Sequence, residues 1–261
     1  MLIAAPAIAV IVGVFHQALP ALGWQLFTKR TNSTGIQNAI LGSLLFLLGV
    51  LIVAGTIGVG AGIYLAEFAS GRTERALRFF SEVLAGMPSI VIGYIGYVTL
   101  VVEFHWSYSL LAAVMALSVL VLPYIVKTTE VALRNVPSAL GEAAAGLGLP
   151  RSATVRQVLL PPALPGIVSG LVVALAISTG ELAPLLFTAG FSDNDPTLHL
   201  FHHQVPYLTN VVFTDISIPG ARAHATAAAA GVVTLGILLV LIAIGRILAS
   251  RARRNTARMS L

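Results

Sequence analysis

Apolar residues along this chain fall in long unbroken runs rather than in the narrow stripes of a soluble domain. Six runs stand out, at Leu2–Leu22, Ile36–Phe68, Leu84–Val102, Tyr108–Val126, Ala163–Ala189 and Ala225–Ala249. A helix needs about 20 apolar residues to cross a hydrocarbon core about 30 Å thick, so each run predicts a transmembrane helix. The second and fifth exceed a minimal span, which predicts tilt, a kink or an extension beyond the hydrocarbon. Continuous runs exclude a β-barrel, whose strands alternate, and a helix in lipid pairs its backbone groups within the segment. The expected fold class is all-α, a polytopic membrane bundle of six transmembrane helices.

Composition agrees with the pattern. Of 261 residues, 57% are hydrophobic and 10% charged, with a mean hydropathy of +0.93. Fifteen Lys and Arg with ten Asp and Glu are too few to coat a soluble core of this size, so lipid must serve as solvent. The chain has no cysteine, which excludes disulfides, thiolate metal sites and cysteine nucleophiles. The first run opens at the N-terminus with neither a basic segment before it nor a clear small-residue cleavage site. It is therefore read as a membrane helix rather than a signal peptide, and its abrupt start fits a missing N-terminal cytoplasmic stub.

The basic residues sort by loop. Segments after the second, fourth and sixth runs carry 12 of them, Arg72, Arg75, Arg78, Lys127, Arg134, Arg151, Arg156, Arg246, Arg251, Arg253, Arg254 and Arg258, against Lys29, Arg30 and Arg222 on the other side. The positive-inside rule then predicts that both termini are cytoplasmic. The basic tail at 251–261 reads as a topology anchor among lipid headgroups, and no nucleic-acid partner is expected. Residues 1–35 are expected to hold the first helix and an external loop. Residues 36–250 form the remaining membrane domain, with a cytoplasmic loop over 127–162. A long external loop covers roughly 190–224, and no fixed-period repeat appears.

The cytoplasmic loop has the grammar of a docking element. Pro137 and Ser138 open a short helix, and Gly148 followed by Pro150 stops it. Leu140, Ala144 and Leu147 fall at i, i+4 and i+7, giving it one mildly apolar face. A second short helix is expected from Ser152 as its cap, through Val155, Val158 and Leu159, to Pro161. Such helices suit a cytoplasmic face, packed either on the chain's own helix ends or on a separate subunit.

Glu142-Ala143-Ala144, Gly148 after three intervening residues, and then Val158-Leu159-Leu160-Pro161 after nine more resemble the E-A-A-x3-G-x9-I-x-L-P motif of ABC importer permeases. Only Val158, standing for Ile, departs from it. The resemblance implies a type I importer permease fold of the MetI-like kind and assigns Glu142, Ala143, Ala144, Gly148, Leu160 and Pro161 to coupling with a cytoplasmic ATPase. Three further stretches are Met87-Pro-Ser-Ile-Val-Ile-Gly93, Leu122-Pro-Tyr-Ile-Val-Lys-Thr-Thr-Glu130 and Gly180-Glu-Leu-Ala-Pro-Leu-Leu186. They resemble the phosphate-specific transport permeases, the A subunit more than the C subunit. That likeness implies ATP-driven phosphate uptake with three partners besides the bilayer: a second permease subunit, an ATPase dimer and an extracytoplasmic phosphate-binding protein. Leu182 replaces the Thr of the family signature, and Ile177 stands where members commonly carry Arg. A permease for another oxyanion, such as molybdate or sulfate, is the alternative that this missing Arg supports; a non-transporting membrane scaffold is a more distant one.

Within the runs, Glu181 is the most informative residue. A carboxylate near mid-span costs about 2.5–3.5 kcal/mol on insertion scales, so it is expected to face the bundle interior, a partner helix or water. Ser178, Thr179 and Gly180 beside it, with Pro184 beyond, supply hydroxyls and a place to bend. Because a bare carboxylate repels phosphate, Glu181 is expected to pair with an Arg of the second permease subunit or to accept a hydrogen bond from a protonated phosphate oxygen. A purely structural interhelical role is the competing reading. Pro88 and Ser89 break the third run, either to line the pathway or as a packing kink. Gly55, Gly58, Gly60 and Gly62 read as a helix-packing seam.

His199, His202 and His203 have the i, i+3, i+4 spacing that gathers imidazoles on one helix side, but no carboxylate at close spacing completes a ligand set, so no metal is expected. The external loop, with Asp193, Asp195, Tyr207 and Asp215, is a candidate for docking the binding protein. No hydrolase motif and no phosphate-binding G-x-x-x-x-G-K-[ST] loop occurs, so the chain is read as a non-catalytic subunit without a cofactor.

Overall fold

The computed structural model describes residues 4–33 and 35–258. Its helices are α1 (Ala4–Ala18), α2 (Trp24–Thr28), α3 (Gln37–Glu67), α4 (Gly71–Gly86), α5 (Ser89–Gly96), α6 (Leu110–Arg134), α7 (Ser138–Gly146), α8 (Arg151–Ala153), α9 (Leu160–Gly180), α10 (Ala183–Thr188), α11 (Leu208–Ser217) and α12 (Ala221–Arg258). Wide π-helical turns follow α5 over Tyr97–Glu103 and join α8 to α9 over Thr154–Leu159.

Among the described residues, four helices are long and apolar enough to cross a bilayer: Gln37–Glu67, Leu110–Arg134, Arg151–Gly180 and Ala221–Arg251. Two helical segments, Gly71–Gly86 and Ser89–Glu103, meet the same test together as a bent pair, and α1 is a shorter apolar helix. This set is compatible with six spans, but the third and fifth are not single rods. The third breaks at Met87, which is extended (φ −76°, ψ 134°), because Pro88 disfavours helical geometry in the residue before it. The fifth run, Ala163–Ala189, with its expected place to bend at Gly180 and Pro184, stops at Gly180 and restarts at Ala183, with Pro184 in the first turn of α10. There its missing N–H costs nothing.

The second docking helix is also corrected. It does not stand alone and is not capped by Ser152. Arg151 follows an extended Pro150, and the helix runs unbroken to Gly180. In a straight α-helix Pro161 and Pro162 would clash with carbonyls one turn earlier. The π-helical turn just before them widens the backbone, so the prolines are carried inside the helix instead of ending it.

Two compact units divide the chain. One comprises Met1–Gly49, Ser89–Leu117 and Thr179–Leu239; the other comprises Val50–Pro88, Ser118–Ser178 and Val240–Leu261. In the first, Ala18, Leu26, Ile36, Ala39, Leu208 and Val211 bury one another together with the alanines of α12 at 228–230. Tyr207 is fully buried, and its ring meets Phe46 and Phe191 edge-on at 5.9 and 6.2 Å. Buried Asn38, at the start of α3, accepts from the Thr31 N–H and donates to the carbonyls of Asp193 and Asn194, stapling the 193–194 loop.

In the second unit, Leu133, Val155, Leu159, Ala163 and Ile167 make the core. Here α6 is gripped by two glycine seams. A Cβ at Gly62 of α3 would lie 2.7 Å from the Val126 carbonyl oxygen, and one at Gly170 of α9 would lie 2.1 Å from Thr128 Oγ1. Gly58 seats on Ile125 and Gly166 on Ala132. The glycines therefore allow backbone-close packing, as small-xxx-small patterns do in lipid. Gly60 faces open space and Gly55 makes only an ordinary contact with Leu171, so half of the expected α3 seam takes part.

Candidate functional site

The coupling candidate is α7. Its residues are largely exposed: Glu142 and Ala143 face out, and only Ala144 is buried. The chain ends the helix by an αL turn. Gly148 has φ +74°, the Leu149 N–H donates to the Ala144 carbonyl at 3.1 Å, and the Gly148 N–H donates to the Ala145 carbonyl at 2.9 Å. These are the two hydrogen bonds of a Schellman stop, and glycine is the residue that adopts its left-handed backbone at least cost. The turn presents Leu147 82% exposed and Leu140 41% exposed. The apolar face expected over Leu140, Ala144 and Leu147 is thus split: Ala144 anchors the helix, and the two leucines stand outward. Leu160 and Pro161 are half-buried where the π-helical turn passes into α9. Arg151 lies over the Phe68 ring at 5.4 Å and ties the far side of the loop to the end of α3.

Toward the end of α6, the helix that precedes α7 in the chain, lies a charge network that local sequence did not reveal. Arg78 of α4 engages the buried Glu130 of α6 through both ends of its guanidinium, with Nη1 3.2 Å from Oε2. Arg78 also donates to Glu74 Oε1 from Nε and Nη2 at 3.2 and 3.0 Å. Arg134 adds Nε at 3.0 Å from Glu130 and Nη2 at 3.6 Å from Glu74. Glu74 and Arg78, and Glu130 and Arg134, are i,i+4 pairs visible in sequence. The pairing of α4 with α6 is not local and left no signal. A cavity of about 270 Å³ adjoins the network, lined by Ser81, Glu82, Pro123 and Lys127 among others.

The pathway candidates sit at helix breaks. Glu181 occupies the gap between α9 and α10 and is half-buried, and its backbone carbonyl accepts from Thr209 Oγ1 at 3.1 Å. A chain interruption between two apolar helices leaves backbone groups that need partners, and Thr209 supplies one. Ser178 is buried and donates back to the Ala174 carbonyl at 3.0 Å; Thr179 is half-buried one residue on. Pro88 is exposed and Ser89 begins α5. The structure brings α5 against α10: a Cβ on Gly93 would lie 2.7 Å from Pro184 Cα and 3.0 Å from the Ala183 carbonyl oxygen. The segment after Pro88 and the segment after Glu181 are therefore packed backbone to backbone through Gly93, a pairing that no local sequence signal marks.

The histidine arrangement is not helical. Residues 199–203 lie in loop and bend, the His199 and His203 rings stack at 4.7 Å, and the His202 N–H donates to the Trp106 carbonyl. Among the described residues, no group of three His, Asp or Glu side chains converges as a metal site. In the same loop, Asp195 pairs with Arg30 and Asp193 accepts from Thr31 Oγ1 at 2.6 Å. Burial pushes the Asp215 carboxyl above its usual range.

Residues 58–254 match the family described as binding-protein-dependent transport system inner membrane component. The chain belongs to this family. Phosphate transport system permease protein PstA 2 of Mycobacterium bovis is 44% identical over 252 residues, 96% of this chain and 84% of that protein, and the Mycobacterium tuberculosis protein of that name is equally similar. PstA of Xylella fastidiosa is 38% identical over 181 residues, 67% of this chain and 63% of its own. Among solved structures, an inward-facing MetNI methionine ABC transporter gives a TM-score of 0.68 at 19% identity, covering 83% of this chain and 95% of that one. An amino acid ABC transporter gives 0.58 at 22%, covering 83% and 92%. These two likenesses establish the MetI-type fold. As an inner-membrane component with several apolar spans, the chain is a multi-pass membrane protein of a binding-protein-dependent importer.

Proposed function

We propose that this chain is the A-type permease subunit of an ATP-driven phosphate importer. The observation that carries the coupling half of this reading is the exposed α7, closed by the Gly148 turn so that Leu147 projects as an apolar knob. Apolar side chains held in water on a helix between membrane spans mark a protein-binding surface. The excess of Lys and Arg in the loops on that side supports a cytoplasmic α7 and cytoplasmic termini, with an ATPase dimer gripping Glu142, Ala143, Ala144 and Gly148. Leu160 and Pro161 pass the motion into α9. The chain itself hydrolyses nothing. Similarity to the phosphate permeases over nearly the whole chain supports phosphate as cargo.

The transport half rests on the broken spans. Glu181, Ser178 and Thr179 around the α9–α10 gap, with Pro88 and Ser89 at the start of α5, line the substrate path. A second permease subunit completes it and supplies the cation that Ile177 withholds from this chain. An extracytoplasmic binding protein delivers the anion to the external loop. The same missing Arg favours a second reading, uptake of another oxyanion.

Reconstitution of the chain with its partners tests both. ATP-dependent accumulation of labelled phosphate, undiminished by excess molybdate or sulfate, is the expected result. Uptake competed more strongly by either of those anions moves the assignment to the second reading.

A further inference from the structure

Helix α4 is attached in an unusual way. None of its residues is buried, and its large apolar side chains, Leu77, Phe79, Phe80 and Val83, are all exposed. The residues it turns inward are Glu74, Arg78, Ser81 and Leu84, at the 3–4-residue spacing of one helix face. That inward face is predominantly polar. What holds α4 to α6 is the network of Glu74, Arg78, Glu130 and Arg134, with the Glu130 side chain only 4% exposed at its centre. A buried carboxylate is costly unless charged and hydrogen-bonding partners surround it, so the pairing is directional and tight rather than greasy and sliding. Against α3 and α9, by contrast, α6 is fixed by the glycine seams. Arg134 is the last residue of α6, three residues before Pro137 opens the turn into α7.

We infer that this four-charge network is the link that carries the displacement of α7 into α4, with Arg78 and Glu130 as positioning residues for coupling. A motor that moves α7 moves the end of α6, and the carboxylate–guanidinium pairs make α4 follow as one body with it. The inference rests on the coupling reading above and adds a second route beside the continuous helix Arg151–Gly180. Neither residue touches ATPase or substrate in this scheme; they act through the helices they join.

The test uses the complete importer in nanodiscs. The absence of native cysteine allows spin labels to be placed on this subunit at Thr73→Cys in α4 and Asn135→Cys just after α6, both exposed. In the otherwise unaltered protein the inter-label distance is expected to stay constant on ATP binding; in Arg78→Gln it is expected to shift or broaden. Arg78→Gln and Glu130→Gln should lower phosphate uptake per ATP hydrolysed about tenfold while binding-protein-stimulated hydrolysis persists. The exchange Arg78→Glu with Glu130→Arg should restore coupling. The inference is overturned if ATP separates the labels in the unaltered protein, or if uptake and hydrolysis fall together in proportion to assembled complex. Should the variants fail to assemble, the label distance in the unaltered importer decides alone. If that importer moves no phosphate while the labels stay fixed, the phosphate reading fails and the link stands.

Discussion

The two compact units differ in charge and in what holds them. The unit containing α7 carries twelve basic and five acidic residues; the unit containing Glu181 and the 190–207 loop carries three basic and five acidic. Both use glycines for close approach, at Gly62 and Gly170 against α6 in the first and at Gly93 against Pro184 in the second. They differ in their polar fastenings: a network around buried Glu130 holds α4 in the first, whereas Asn38 and Thr31 staple the 193–195 segment in the second. On the proposed function the network lies in the unit that would receive mechanical force, and the stapled loop in the unit that would receive a soluble partner.

The largest expected effect lies in the cation-rich unit. Changing Glu142→Lys together with Gly148→Val should abolish ATPase association and uptake, checked by copurification and transport. Retention of the ATPase would remove α7 from the coupling role. In the other unit, Glu181→Gln should abolish uptake while assembly with the ATPase survives. Unchanged transport by that variant would reduce the helix break to a packing feature.

The seams give an internal control. Gly170→Val, with Thr128 at 2.1 Å from the new Cβ, should destabilise the protein by about 1–3 kcal/mol or more, read by thermal unfolding in detergent. Gly60→Val, where nothing lies within 4 Å, should change little. Equal effects at the two positions would argue against a clamped α6.

In the unit that holds the 193–195 loop, Asn38→Ala strands the Thr31 N–H and two loop carbonyls and should cost about 1–3 kcal/mol. Removal of the half-exposed Arg30–Asp195 pair by Arg30→Ala should cost less than about 1 kcal/mol. Hydrogen exchange over the 190–195 loop distinguishes the two. The smallest effect is a pH slope. Because the folded protein holds the Asp215 carboxyl above its usual range, its contribution is fully present below that range and is lost as pH rises through the raised value. Asp215→Asn should flatten that slope and leave the protein slightly more stable at neutral pH, as thermal melts from mildly acidic to neutral pH would reveal.

Much of this protein was legible in its sequence because the decisive terms are local or additive. Run length against bilayer thickness specifies membrane helices, and Pro137, Gly148 and Pro150 bracket α7 by backbone chemistry that acts within a few residues. The same local rules misjudged Ser152 and Pro161, because a π-helical turn lets prolines ride inside a helix that propensity alone would end. Length and the Gly180 and Pro184 positions did predict a place to bend in the fifth span; the complete break there, with Thr209 of another helix partnering the Glu181 carbonyl, is a tertiary feature. What only tertiary structure decided are the pairings of residues far apart in sequence: Arg78 with Glu130, Gly170 with Thr128, Gly93 with Pro184, Asn38 with the 193–194 carbonyls. Each depends on which helix faces meet. In lipid that choice is made by close packing and by the partnering of buried polar groups, to which the hydrophobic pattern of a single chain is nearly blind.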